Sequence, residues 1–151
     1  MADEARLRPT AGQKLITGGT ELVWREARPK DSVIDFNELL TQPSSLSAAY
    51  AVCYVHAEQA LNGLTLKIGR ENPTRVYLNG KLIFERRSSW STMSDPETVG
   101  ALELQAGLSV IVLKVVNERY KRDTSQASFR FTDQDGNPVK GLSVTTNPDE
   151  P

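Results

Sequence analysis

Trp90 stands four residues after Arg86, the first of two adjacent arginines, in "ERRSSWSTMSDPE" over residues 85 to 97. Tyr120 stands between Arg119 and Lys121, with Arg122 next, in "NERYKRDTS" over residues 117 to 125. These sets suit recognition rather than bond breaking. A flat ring stacks on an apolar face. A planar guanidinium takes a carboxylate through two parallel hydrogen bonds, stronger than neutral ones. Both sets fall in polar segments between strand-like runs, where binding groups are commonly displayed over a rigid scaffold. Arg86, Arg87, Trp90, Asn117, Arg119, Tyr120, Lys121 and Arg122 are therefore candidate binding residues, and Arg70, in the turn before a hairpin, could join them. A plainer reading stays open for each. Trp90 can fold under its loop and plug one end of the fold. Arg86 and Arg87 can pair with Glu85 and Asp95. Tyr120 can cover core.

Groups for catalysis are scarce. His56 is the one imidazole, it falls mid-strand, and no G-x-S-x-G nucleophile motif accompanies it. Asp95 and Glu97 lie too close in one loop to face each other across a cleft, as paired glycosidase acids must. No glycine-rich phosphate loop precedes a helix. With one His and one Cys, the usual zinc ligands are missing. Cys53, in "AAYAVCYVHA", reads as a small buried hydrophobe and forms no internal disulfide. No enzyme, metal or cofactor is expected.

The elements that hold these groups are almost all β. "LTLKIG" alternates Leu64, Leu66 and Ile68 with Thr65 and Lys67, the period of a half-buried strand. "TRVYLNGKLIFER" places Asn79-Gly80 between two β-prone runs, the dipeptide of a type I′ hairpin turn. "GALELQAGLSVIVLKVVNE" repeats strand, turn and strand through Ala106-Gly107. "QASFRFTDQDGNPVKGLSV" alternates Phe129 and Phe131 with polar residues, then turns at a Gly and a Pro. "ELVWREA" and "SLSAAYAVCYVHAE" add strands, with Trp24 read as core. "SVIDFNELL" begins as a strand and closes in the one helical turn suggested. In the long Tyr-rich run, Tyr54 and His56 share an outward parity and could line a sheet-face groove.

About nine short strands with regular turns make an all-β antiparallel sandwich or jelly roll. Residues 1 to 20 read as a flexible lead-in, 21 to 146 as the sandwich and 147 to 151 as a tail. The chain's 151 residues suffice for one core. A formal net charge of −1 gives no whole-molecule attraction to nucleic acid or an anionic membrane. No stretch approaches the roughly 20 apolar residues of a membrane span. "MADEARLRPTAGQKL" holds acids and no apolar run, unlike a secretory or transit leader.

Three blocks in order, "LTLKIGRENPTRVYLNGKLIFER", "LELQAGLSVIVLKVVN" and "ASFRFTDQDGNPVKGLSV", resemble galactose-binding-like β-sandwich modules. The similarity is to modules appended to large bacterial proteins, often beside cytochrome c domains. The hairpin is also similar to that of PA14-type sugar-binding domains. The resemblance spans roughly residues 33 to 145, and Val76 to Lys81 is its most specific part. It implies a non-catalytic module that binds polysaccharide, a monomer within a longer exported chain, extracellular or periplasmic. The arginines favour an acidic, uronate-type glycan. Where the family pattern has Asp-Asp-Gly this chain has Glu71-Asn72-Pro73, so no calcium site is expected. A rival reading is a protein-interaction or spacer domain with no glycan ligand.

Overall fold

Leu64, Leu66 and Ile68 are buried and Thr65 and Lys67 are half-buried, so the alternation in the sequence is the alternation of a strand with one face in the core. The computed structural model describes residues 3–28, 33–36, 47–88, 97–117 and 126–149. Among these it forms eleven strands: β1 (Lys14–Thr17), β2 (Thr20–Val23), β3 (Ile34–Asp35), β4 (Ser47–Ala57), β5 (Leu61–Arg70), β6 (Thr74–Leu78), β7 (Lys81–Arg86), β8 (Glu97–Leu104), β9 (Gly107–Asn117), β10 (Gln126–Thr132) and β11 (Leu142–Thr145).

A four-stranded sheet runs β3-β10-β5-β8 and a five-stranded sheet runs β11-β4-β9-β6-β7, all pairings antiparallel. Their facing sides supply one core. Leu64, Leu66, Ile68, Leu104 and Ala127 come from the first sheet, and Val55, Ile111, Leu113, Val76 and Phe84 from the second. The molecule is an antiparallel β-sandwich. The expected hairpin is present: Asn79 and Gly80 both take positive φ (50° and 84°) between β6 and β7. The Asn79 side chain fixes it to its neighbour, since Val110 N donates to Asn79 Oδ1 at 2.8 Å.

Three expectations need correction. β8 and β9 follow one another, but they do not pair. β8 joins β5 in one sheet and β9 joins β4 and β6 in the other, so the turn before Gly107 crosses the sandwich. Asn62-Gly63, just before "LTLKIG", reads in the sequence as a turn leading into that strand, but it lies within β5, where the register with β8 shifts. The segment read as a lead-in carries structure. Glu4–Arg6 form a 3-10 turn capped by Asp3, and β1 and β2 form a hairpin extended by backbone bonds from Trp24 N to Gln13 O and from Gly12 N to Trp24 O. Trp24 itself is half-buried, beside a cleft of about 480 Å³ that Phe36 and Phe129 also line. The helical turn expected after Phe36 lies outside the described residues.

The N-terminal turn answers a demand of the sheet. The outer face of the five-stranded sheet carries Tyr54, Tyr77, Val110 and Val112, and Ala5 and Leu7 pack on them. Tyr54 Oη donates to Pro9 O at 2.6 Å. The outward Tyr54 is thus 1% exposed and does not line an open groove. Cys53 faces inward against the core, and burial pushes its thiol up to about 12.

Candidate binding site at the loop rim

Both candidate loops start and finish on one rim of the sandwich. In the five-stranded sheet Thr74 is opposite both Arg86 and Val115, and Ser47 is opposite Asn117. In the four-stranded sheet Arg70 is opposite Ala127, and Ile68 is opposite Glu97. The loop leaving β7 therefore returns to β8 at this rim, and the loop leaving β9 returns to β10 at the same rim. Hydrogen bonds tie both bases of the second loop to the 71–73 turn. Val116 N donates to Pro73 O at 3.0 Å, Glu71 N to Gln126 O at 3.1 Å, and Gln126 N to Glu71 Oε2 at 2.9 Å.

Arg70 is the knot of the first loop's base. It is 2% exposed. Its Nε donates to Glu97 Oε2 at 2.5 Å and its Nη1 to Ser88 O at 2.5 Å and Asn72 O at 3.3 Å. A cation this deeply buried must be paired, and here its donors are spent on the protein. Arg70 positions the loop and does not face a ligand. Glu97 receives Arg86 as well, Nε to Oε1 at 3.0 Å. Burial alone would raise the Glu97 carboxyl, but Arg70 and Arg86 outweigh it and hold the group below the ordinary range.

Arg86 and Arg87 remain at the surface, with side chains 53% and 85% exposed. Arg86 lies 5.0 Å over the Phe84 ring and Arg87 Nε meets Glu85 Oε1 at 3.1 Å. Glu85 is also held by Arg75, and Arg75 and then Arg87 lower its carboxyl. The pairing with Glu85 anticipated for Arg87 is present. For Arg86 the carboxylate is Glu97. Between these residues lies a cleft of about 230 Å³ with Arg75, Arg86, Arg87 and Lys114 as cations, Glu85 as the acid, and Pro73 and Val116 beside them. The four cations are engaged by three carboxylates, Glu85, Glu97 and Glu4, which leaves a small local excess of positive charge that favours an anion.

Trp90, Arg119, Tyr120, Lys121 and Arg122 lie outside the described residues, and Asn117 closes β9 at the rim. Of the expected set, Arg86 and Arg87 share the cleft, and Arg70 is buried at the base of the first loop. The cleft adds two residues that the loops did not suggest, Arg75 and Lys114. They are register partners on the outer face. Their signal was present, since each is a cation at the outward parity of a strand otherwise apolar, but strands were read as scaffold.

Beyond the cleft the same two cations meet Glu4. Lys114 Nζ lies 2.7 Å from Oε2 and Arg75 Nη1 3.2 Å from Oε1. Tyr50 Oη donates to Oε2 at 2.7 Å and Tyr77 Oη to Oε1 at 2.5 Å. Lys114 first, then Tyr77, lower the Glu4 carboxyl to about 2. Burial, then Glu4, raises both tyrosines, so they stay protonated donors at neutral pH. His56 lies in β4 opposite Ser143 and Leu108. Among the described residues no three His, Cys, Asp or Glu side chains are grouped to hold a metal ion.

No protein-family model and no curated protein matches the chain. Among solved structures it is similar to a family 35 carbohydrate-binding module from an environmental isolate. The two share 19% identity with a TM-score of 0.42 over 67% of this chain and 72% of that one.

Proposed function

We propose that this chain is a non-catalytic carbohydrate-binding module, that its ligand is an acidic, uronate-containing polysaccharide, and that the site is the loop rim. The observation that carries the reading is that the strand ends anchoring both loops share one rim, where a cleft is lined by Arg75, Arg86, Arg87 and Lys114. The three-block resemblance supplies the sugar class, and the cations supply the preference for acid. Trp90 or Tyr120 stacks on a sugar ring, while Arg86, Arg87, Lys121 and Arg122 take carboxylates or hydroxyls. Arg119 and Asn117 flank them. The module works as a monomer within a longer exported chain. A spacer domain with no glycan ligand is the second reading, favoured by the Arg86–Glu97 and Arg87–Glu85 pairs, which occupy part of each guanidinium.

Affinity electrophoresis in gels of polygalacturonate, alginate and neutral glucans separates the two. The module is retarded by the polyuronates, and the double change Arg86→Ala with Arg87→Ala abolishes that retardation. Migration unchanged in every gel establishes the spacer instead.

A further inference from the structure

The seat of Glu4 is a carboxylate receptor in its own right. Four donors from three strands, Tyr50 of β4, Arg75 and Tyr77 of β6, and Lys114 of β9, converge on its two oxygens. The sheet sets β4, β9 and β6 side by side, so the backbone holds the four positions together. The receptor is continuous with the open cleft, because Arg75 and Lys114 line both. The occupant, in contrast, is held by side-chain contacts and not by the backbone ladder of a strand. Among the described residues the segment 3–9 makes no backbone-to-backbone hydrogen bond to the sandwich. It is held by Glu4, by the packing of Ala5 and Leu7, by Arg6 beside Gly80, by the burial of Pro9 and by Tyr54 on Pro9 O.

We infer that Glu4 is a resident internal ligand of a carboxylate-binding site, and that a uronate carboxylate entering along the cleft displaces it together with the N-terminal turn. The inference extends the acidic-ligand reading above by adding a self-inhibitory contact. A chain in which only the undocked fraction binds has its apparent affinity reduced by that fraction. Removing the internal carboxylate removes the reduction.

The probe is monomeric galacturonate, with chloride at equal ionic strength as the control. Glu4→Ala binds galacturonate about tenfold or more tightly than the unchanged chain, and adding Lys114→Met removes the gain. Equal affinity of Glu4→Ala and the unchanged chain overturns the inference. A readout that needs no variant is tryptic cleavage after Arg6, followed by mass spectrometry. Galacturonate accelerates it in the unchanged chain and chloride does not; equal rates in both count against displacement, even where Glu4→Ala fails to fold. The two proposals fail separately. Polyuronate retardation with no gain in Glu4→Ala sinks the internal ligand and leaves the module's function. A galacturonate gain with no retardation of either protein in any gel sinks the polysaccharide and leaves the carboxylate site.

Discussion

At the scale of single residues, charge is placed where the surroundings already determine its partner. Arg70 is almost fully buried, and its guanidinium joins Glu97 of β8 to the Ser88 carbonyl at the start of the loop. Removing one member of a buried pair leaves the other without compensation. Arg70→Met is expected to destabilise the fold by about 3 kcal/mol, moderated because Arg86 still reaches Glu97. Arg70→Lys recovers less than half, since an ammonium cannot span both partners. Urea unfolding midpoints at a constant slope measure this; an unchanged midpoint in Arg70→Met removes the residue's structural role. Glu4 makes a different prediction. Its carboxyl is lowered from 4.5 to about 2, with Lys114 as the main cause. A depressed folded-state value means that the unfolded chain binds the proton first. The stabilisation is thus complete above the unfolded value and is lost as pH falls toward 2. Glu4→Gln is expected to cost about 1–3 kcal/mol at pH 7 and to show a shallower decline between pH 5 and 2 than the unchanged chain. Glu97, Glu85 and Asp133 are also lowered and contribute slope to both proteins, so the difference between the curves belongs to Glu4. Parallel curves rule the attribution out.

At the scale of elements, the β6–β7 hairpin shows how a turn sets a site. Both turn residues take positive φ, and Asn79 Oδ1 accepts from Val110 N while Nδ2 donates to Ser109 Oγ at 3.2 Å. The turn pairs Leu78 with Lys81 and Tyr77 with Leu82, a register shift between Tyr77 and Val76 then brings Arg75 opposite Glu85, and the pairing of β6 with β9 sets Arg75 opposite Lys114. Gly80→Ala meets no close atom, its nearest neighbour being Arg6 Cγ at 3.6 Å, so its cost is backbone strain alone, about 1 kcal/mol. Asn79→Ala loses two hydrogen bonds as well and is expected to cost about 2 kcal/mol. Denaturation midpoints rank the two, and the reverse order refutes the role given to the Asn79 side chain. This element was legible because its signal is local: a dipeptide with one favoured turn between alternating runs. The split of β8 from β9 was not, since a tight turn between two apolar runs reads alike whether the strands pair or face each other across a core. The N-terminal cover was legible in principle. "VIVL" in β9 is buried on both faces from Val110 to Leu113, and β4 carries Tyr50, Val52 and Tyr54 on its outer side. Apolar residues at both parities require something on each face. What supplied the second face came from residues 4 to 9, which have no periodic pattern. For the site, two loops with aromatic and cationic residues were visible in sequence, whereas Arg75 and Lys114 emerged only once register placed them side by side.

At the scale of the whole molecule, net charge and local charge point in opposite directions. The chain is slightly acidic overall at −1, yet its cleft is ringed by four cations. On the proposed function a polyanion is not drawn from a distance but held at short range, through exposed side chains that salt screens readily. The screening length falls from about 10 Å at 0.1 M salt to about 3 Å at 1 M. Polygalacturonate retardation is expected to weaken steadily across that range, while any residual affinity for a neutral glucan, resting on ring stacking, stays flat. In Arg86→Ala with Arg87→Ala the fold should lose no more than about 1 kcal/mol, since both ion pairs are exposed at the arginine, yet the salt-dependent part of the retardation should disappear. The comparison separates a charge site from a stacking site on the same rim. Salt-insensitive binding of polyuronate by both proteins means that the aromatics carry recognition and the arginines only brace the loop. Loss of retardation together with a large fall in stability means that the two arginines belong with Arg70 in holding the rim, and the acidic preference must then be sought at Arg75 and Lys114.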